Sequence, residues 1–287
     1  MEIKSKKRSK AAEVWRRMKK SRTAMLGLAI LVVFAAVSTF ASVITPYKAA
    51  TQQSAKVRLQ PPSAEHYFGT DGFGRDVFAR ILHGSRVSLT IGLVTTFIST
   101  LIGGFLGSAA GYYGGRLDNV IMRLMDVFMC IPTVLLALAI IAALGPGMRN
   151  LLIAITLSNI PSFTRLVRSV ILTLVEQDFI EAARSYSTPD FRIIVKYVLP
   201  NAMGPIIVQA TMSIASMMLL AAGLSFIGMG IQPPAPEWGA MLSEAREYMR
   251  TEPYLLFFPG MCILLSALAL NLVGDGLRDA LDPKLRD

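Results

Sequence analysis

Few side chains in this sequence could make or break a bond. His66 and His83 are its two histidines, while Cys130 and Cys262 lie far apart within apolar stretches and without a CxxC partner, so a His/Cys metal centre is not expected. No HExxH helix or GxSxG elbow occurs, and no carboxylates are paired within the apolar stretches. The segment from Gly69 through Thr70, Asp71, Gly72, Phe73 and Gly74 to Arg75 and Asp76 is rich in glycine. A phosphate cradle also needs a Lys-Ser/Thr pair or a strand-to-helix setting, and neither follows here. Tight turns capping the next helix are expected instead. On this reading the chain carries no catalytic residue, metal ligand or cofactor of its own.

The remaining charged residues suggest mechanical roles. Asp178 followed by Glu181 is a helix-start signal, in which Asp178 caps free N–H groups and Glu181 reaches back to the cap. A short helix is predicted through Glu181, Ala182, Ala183 and Arg184 to about Tyr186, with acids at its positive end and Arg184 near its negative end. Small Ala182 and Ala183 make a flat face, and Phe179 and Tyr186 offer apolar contacts, which suits a plug for a partner's groove. Thr188-Pro189 restarts the chain into a second helix over 190–199, with Phe191, Ile194 and Val198 on one side and Arg192 and Lys196 on another. Pro200 and Gly204-Pro205 then break or kink the path. Arg123 and Asp126, three apart, share a helix face and neutralise one another. They anchor a helix at an interface or, alternatively, serve a gate.

The elements that must hold these residues are membrane spans. With 53% hydrophobic and 17% charged residues, the apolar share exceeds the soluble norm. Uncharged windows at 24–47, 87–115, 127–148, 197–236 and 253–274 are each long enough to cross a bilayer as a helix. A shorter window at 150–164 extends to about Val170 if Arg165 and Arg168 snorkel, which gives six spans. The first is too long for a signal-peptide core and lacks a small-x-small cleavage site, so it is read as an uncleaved helix. Gly103, Gly107 and Gly111 strip one face of the second span for close helix packing.

Residues 1–23 contain ten Lys or Arg against Glu2 and Glu13, which holds this tail in the cytoplasm. An even number of spans returns the C-terminus to the same side. Attraction to anionic lipid explains the tail better than nucleic acid, because no aromatic interleaving accompanies it; Trp15 reads as an interfacial anchor. The expected layout is a basic tail 1–23, a first helix 24–47, an external loop 48–86, a five-helix core 87–275 containing the cytoplasmic loop 171–201, and a cytoplasmic tail 276–287. The mid-membrane regions carry no convincing titratable cluster, so an ion-coupled secondary carrier is a weaker reading, and a membrane-embedded enzyme weaker still.

Glu181-Ala182-Ala183, with Leu199-Pro200 at the family spacing, resembles the EAA loop of ABC-importer permeases. The sequence departs from that pattern at Ser187, where the family has Gly, and at Tyr197, where it has Ile. Further stretches are similar to the C-type permease subunit of dipeptide, oligopeptide and nickel importers. They are Phe68 to Asp76, Gly84-Ser85-Arg86-Val87-Ser88-Leu89, Leu224 to Gly228 with Gln232-Pro233-Pro234, and Asn271 to Asp279.

The resemblance implies an all-α membrane protein of about six transmembrane helices, with type I importer architecture and a cytoplasmic coupling helix. It would reside in a bacterial or archaeal cytoplasmic membrane, with both termini cytoplasmic. The implied partners are a paralogous permease in a heterodimer, two cytoplasmic ATPase subunits that bind ATP and Mg, and an extracytoplasmic substrate-binding protein. Asp178, Glu181, Ala182, Ala183, Arg184, Ser187, Leu199 and Pro200 would form the ATPase-coupling segment. Peptides, or nickel complexes and related small solutes, would be the cargo.

Overall fold

The structure is a computed structural model that describes residues 10–281, and among these no strand forms. Basic α1 (Lys10–Met18) leads into α2 (Arg22–Ile44), capped by the Ser21 hydroxyl, which accepts the Ala24 N–H at 3.3 Å. Short α3 (Tyr47–Thr51) and a looped segment precede α4 (Val77–Tyr113). This helix starts ten residues before the charge-free window. Asp76 caps it by accepting the Ala79 N–H at 2.8 Å, and Arg80 and His83 are buried among protein groups, so the first turns of α4 carry charge without being loop.

Next come α5 (Gly115–Met129) and α6 (Thr133–Leu144), which meet at 83°. Pro132 at the junction supplies no N–H to continue the helical ladder, and a sharp bend follows. Asn150, in the first turn of α7 (Met148–Val175), donates to the Leu144 and Gly145 carbonyls at 2.8 and 3.0 Å and so closes the end of α6. Then come α8 (Asp178–Ser185), α9 (Asp190–Ile193), α10 (Leu199–Phe226), α11 (Trp238–Ala245) and α12 (Tyr254–Leu281).

Helices α2, α4, α12 and the run 190–226 are each long and apolar enough to cross a membrane, and the bent α5–α6 pair makes a fifth, broken span. At 28 residues, α7 is about 42 Å long, enough for a crossing although Arg149, Arg165 and Arg168 lower its apolarity. Gly103, Gly107 and Gly111 face α7. A Cβ at these positions would stand 2.6 Å from Phe163 Cβ, 2.5 Å from the Thr164 carbonyl oxygen and 2.9 Å from Ile171 Cβ. Only backbone fits there. On another face of α4, Leu93, Phe97, Leu101 and Phe105 repeat every four residues, each more than half exposed. Such a stripe is unfavourable in water and at rest in hydrocarbon.

The α4 N-terminal end of the bundle is closed by a cap. The segment after α3 turns back through Gly69 and Gly74, both at positive φ, and Tyr254 Oη donates to the carbonyls of Gln60 and Thr70 at 3.0 Å each. Beneath it Arg75 and Arg80, essentially inaccessible, share Asp71 and Glu244. Arg75 Nε lies 2.7 Å from Asp71 Oδ2, and Arg80 Nη1 lies 2.7 Å from Glu244 Oε2. Two cations and two carboxylates neutralise one another, which is what permits their burial. Beside them Glu237 caps α11, accepting N–H groups of Gly239 and Ala240 at 2.9 and 2.7 Å, while burial pushes its carboxyl above the ordinary carboxylate range.

Candidate functional site at the loop end of the bundle

At the opposite end, α8 lies across the ends of α4, α7 and α10. Its sequence Asp-Phe-Ile-Glu-Ala-Ala-Arg-Ser buries Ile180 and Ala183, three apart on one face, against Tyr112, Val167, Ile171, Ile193, Val198, Ala202 and Ile206. The other face is left bare. Phe179, Glu181, Ala182 and Arg184 are exposed on it, and Tyr186 just beyond is 86% exposed. Ala182 and Ala183 therefore serve different faces, rather than one flat one.

The helix start differs from the sequence expectation. Gln177, not Asp178, occupies the cap position with extended backbone, and its side chain makes no cap bond. Asp178 and Glu181 both sit inside the first turn, so their carboxylates favour the helix through its dipole, and the reciprocal capping box does not form. Neither carboxylate lies within 4 Å of a cation among the described residues, which leaves both turned to the surroundings.

The helix ends in a Schellman turn. Ser187 N–H donates to the Arg184 carbonyl at 2.8 Å and Thr188 N–H to the Ala183 carbonyl at 3.2 Å, with Ser187 held at φ +52°. This is the position where the importer pattern has Gly. A Cβ in left-handed backbone costs about 1–2 kcal/mol, so the turn closes against local strain.

Beyond it, the predicted separate second helix does not stand alone. One turn of α9 passes through a π-helical stretch, Ile194–Val198, straight into α10, so 190–226 is one continuous element. The widened π turn lies just before Pro200, where one ladder bond is missing in any case, and the chain runs on through Pro205. The buried side of this stretch is Ile193 and Val198; Phe191, expected there, is 76% exposed. Tyr197, at the family's Ile position, is 39% exposed.

Two contacts tie the loop to the spans. Tyr112 Oη, at the end of α4, donates to Asp190 Oδ1 at 2.7 Å, and the Arg184 guanidinium lies 5.2 Å over the Tyr112 ring. One aromatic side chain thus touches both α8 and α9. Sequence reasoning missed Tyr112 and Asp190, which are 78 residues apart with no local pattern to link them.

Arg123 and Asp126 are not partners of each other. Asp126 pairs with Arg165 at 2.8 Å, and Arg168 grips Asp118 with two N–H groups at 2.5 and 2.6 Å, so both pairs pin α5 to α7. Helix α5 turns Arg123 outward, where it is exposed. Between α7, α10 and α12 a cavity of about 750 Å³ opens at this same end, lined by Gln177, Phe179, Pro200, Gln209 and Arg278 among others. Pro200 thus borders open space, and Leu199 is half-buried beside it.

Comparison with known proteins follows this geometry. Residues 103–287 match the family described as binding-protein-dependent transport system inner membrane component, and residues 9–62 match the N-terminal TM domain of oligopeptide transport permease C. The chain is 46% identical to the dipeptide transport system permease protein DppC of Alkalihalophilus pseudofirmus, over 96% of this chain and 90% of that protein. It is 45% identical to the glutathione transport system permease protein GsiD of Escherichia coli, again over 96% and 90%. Among solved structures, a chain of the MetNI methionine ABC transporter in an inward-facing conformation superposes with a TM-score of 0.59. It is 19% identical, covering 71% of this chain and 97% of that one, which is a likeness of fold.

Proposed function

The chain belongs to the family of binding-protein-dependent transport system inner membrane components, and from that membership we propose how it works: α8 receives force from an ATPase subunit and passes it to the spans. The chain is a multi-pass permease subunit of an importer. Its proposed cargo is peptides, from small dipeptides to tripeptide-like molecules such as glutathione, since relatives at 46% and 45% identity bear those names. Nickel complexes are a weaker alternative.

The observation that carries the coupling proposal is the two-sided build of α8. One face is sealed into the bundle by Ile180 and Ala183, while the other presents two carboxylates and the exposed rings of Phe179 and Tyr186. A helix with an apolar root and an unpartnered acidic crown is built to enter a groove of another protein. Nucleotide-driven closure of the ATPases would shift α8, and Tyr112 and the continuous α9–α10 run would carry that displacement into α4 and α10.

The same proposal places both termini in the cytoplasm, with ATP and Mg bound only by the two ATPase partners. A paralogous permease completes the translocation pathway, and the external binding protein docks on the cap end. The 750 Å³ cavity at the α8 end would then be the inner mouth of the half-pathway this chain lines.

The test is Glu181→Arg in the complex reconstituted with its ATPases, second permease and binding protein. Substrate-stimulated ATP hydrolysis and uptake should both be lost, while the isolated ATPases keep their basal rate. Coupled uptake at the native rate in this variant would refute the assignment of α8.

A further inference from the structure

We propose that the cleft between α1 and the end of α12 binds the headgroup of one anionic phospholipid. α1 is not a loose tail at this point. Its Val14 and Met18 are packed onto Val273, Leu277 and Ala280 of α12, so the helix is fixed by its apolar side. Arg16, Arg17, Lys20 and Ser21 on one wall, with Gly276 and Asp279 on the other, enclose a cavity of about 230 Å³.

The charges within it are unbalanced. Arg17 is engaged by Glu13 at 2.9 Å, whereas neither Arg16 nor Lys20 has a carboxylate within 4 Å among the described residues. With Arg17 offset by Glu13, Arg16 and Lys20 against Asp279 leave the walls at a net +1, a match for a headgroup of single negative charge rather than for a zwitterionic one. Asp279 opposes a bare phosphate but can accept a hydroxyl, which favours a glycerol headgroup.

The position selects a lipid over a soluble anion. Ser21 caps the first span, and Gly276 and Asp279 lie in the last two turns of the final one, so the cavity sits where hydrocarbon gives way to water. Trp15 stands beside it 44% exposed, with Lys19 Nζ 5.2 Å above its ring, as an interfacial anchor would.

The test uses the full permease complex, stripped of lipid in detergent and titrated with phosphatidylglycerol or phosphatidylcholine, with bound lipid counted by native mass spectrometry. One phosphatidylglycerol should remain on the chain under conditions that remove phosphatidylcholine. At about fivefold per cation, Arg16→Gln/Lys20→Gln should weaken its retention about thirtyfold. Lys19→Gln, exposed just beyond α1 but outside the cavity, should leave retention unchanged. Equal retention of both lipids, equal loss in Lys19→Gln, or release of the lipid by inorganic phosphate at comparable concentration would overturn the proposal. Intact assembly of the double variant on gel filtration separates loss of the site from loss of the fold.

Discussion

Replacing Ser187 with glycine should tighten the coupling loop. Ser187 holds φ +52° at the closing position of the α8 turn, and its exposed hydroxyl makes no hydrogen bond among the described residues, so removing the side chain forfeits no hydrogen bond. Relief of left-handed backbone is worth about 1–2 kcal/mol. Against this, glycine adds freedom to the opened loop, costing about 0.4–1 kcal/mol. At mid-range values the net gain is about 0.8 kcal/mol, roughly a fourfold shift toward the closed turn. Hydrogen exchange on the assembled complex reads this directly, because the Ser187 and Thr188 amides are the two donors that close the turn. Peptides covering 178–190 should exchange about fourfold more slowly in Ser187→Gly, and faster than native in Ser187→Val, whose branched Cβ suits this backbone less. Unchanged or faster exchange in Ser187→Gly would refute the reasoning that the turn is strained.

Two further substitutions probe the bundle and its cap. Gly107→Ala puts a methyl 2.5 Å from the Thr164 carbonyl oxygen and should cost about 1–3 kcal/mol, seen as a lower melting temperature of the purified complex; Gly104→Ala, with nothing within 4 Å, should match native. Arg80→Met leaves buried Asp71 and half-buried Glu244 facing Arg75 alone and should destabilise the cap by about 3 kcal/mol, with part of the loss recovered in Arg80→Met/Glu244→Gln, both read by thermal denaturation.

The sequence disclosed most where the governing interactions are local. Charge-free windows marked most of the spans because hydrocarbon tolerates no long run of charge, but the window 127–148 is split by the bend at Pro132 and its span begins in charged α5. The spacing of Gly103, Gly107 and Gly111 marked a bare face because a helix repeats every 3.6 residues. The α8 helix itself was legible in Glu181-Ala182-Ala183. What could not be read were pairings between distant segments. Asp126 had an obvious neighbour in Arg123, yet the bend after α5 brings it to Arg165, 39 residues away. Arg75 and Glu244 are separated by 169 residues, and nothing near either announces the other. The start of α4 was hidden for a related reason, since Arg80 reads as surface until its two carboxylates are known. The face of 190–199 was misassigned because the π turn shifts the helical phase, which exposes Phe191 and buries Ile193.

Whether α8 meets a motor protein is best settled by joining the two chemically. With Cys130→Ser and Cys262→Ser as background, Ala182→Cys places one thiol on the exposed face of α8, and Thr251→Cys places one on the cap at the other end of the bundle. A short bifunctional thiol reagent, used with ATPase subunits bearing cysteines along their membrane-facing cleft, should link Ala182→Cys to the ATPase and leave Thr251→Cys unlinked. Labelling of Ala182→Cys by an impermeant maleimide added outside intact cells, together with ATPase links only at Thr251→Cys, would contradict the docking of α8.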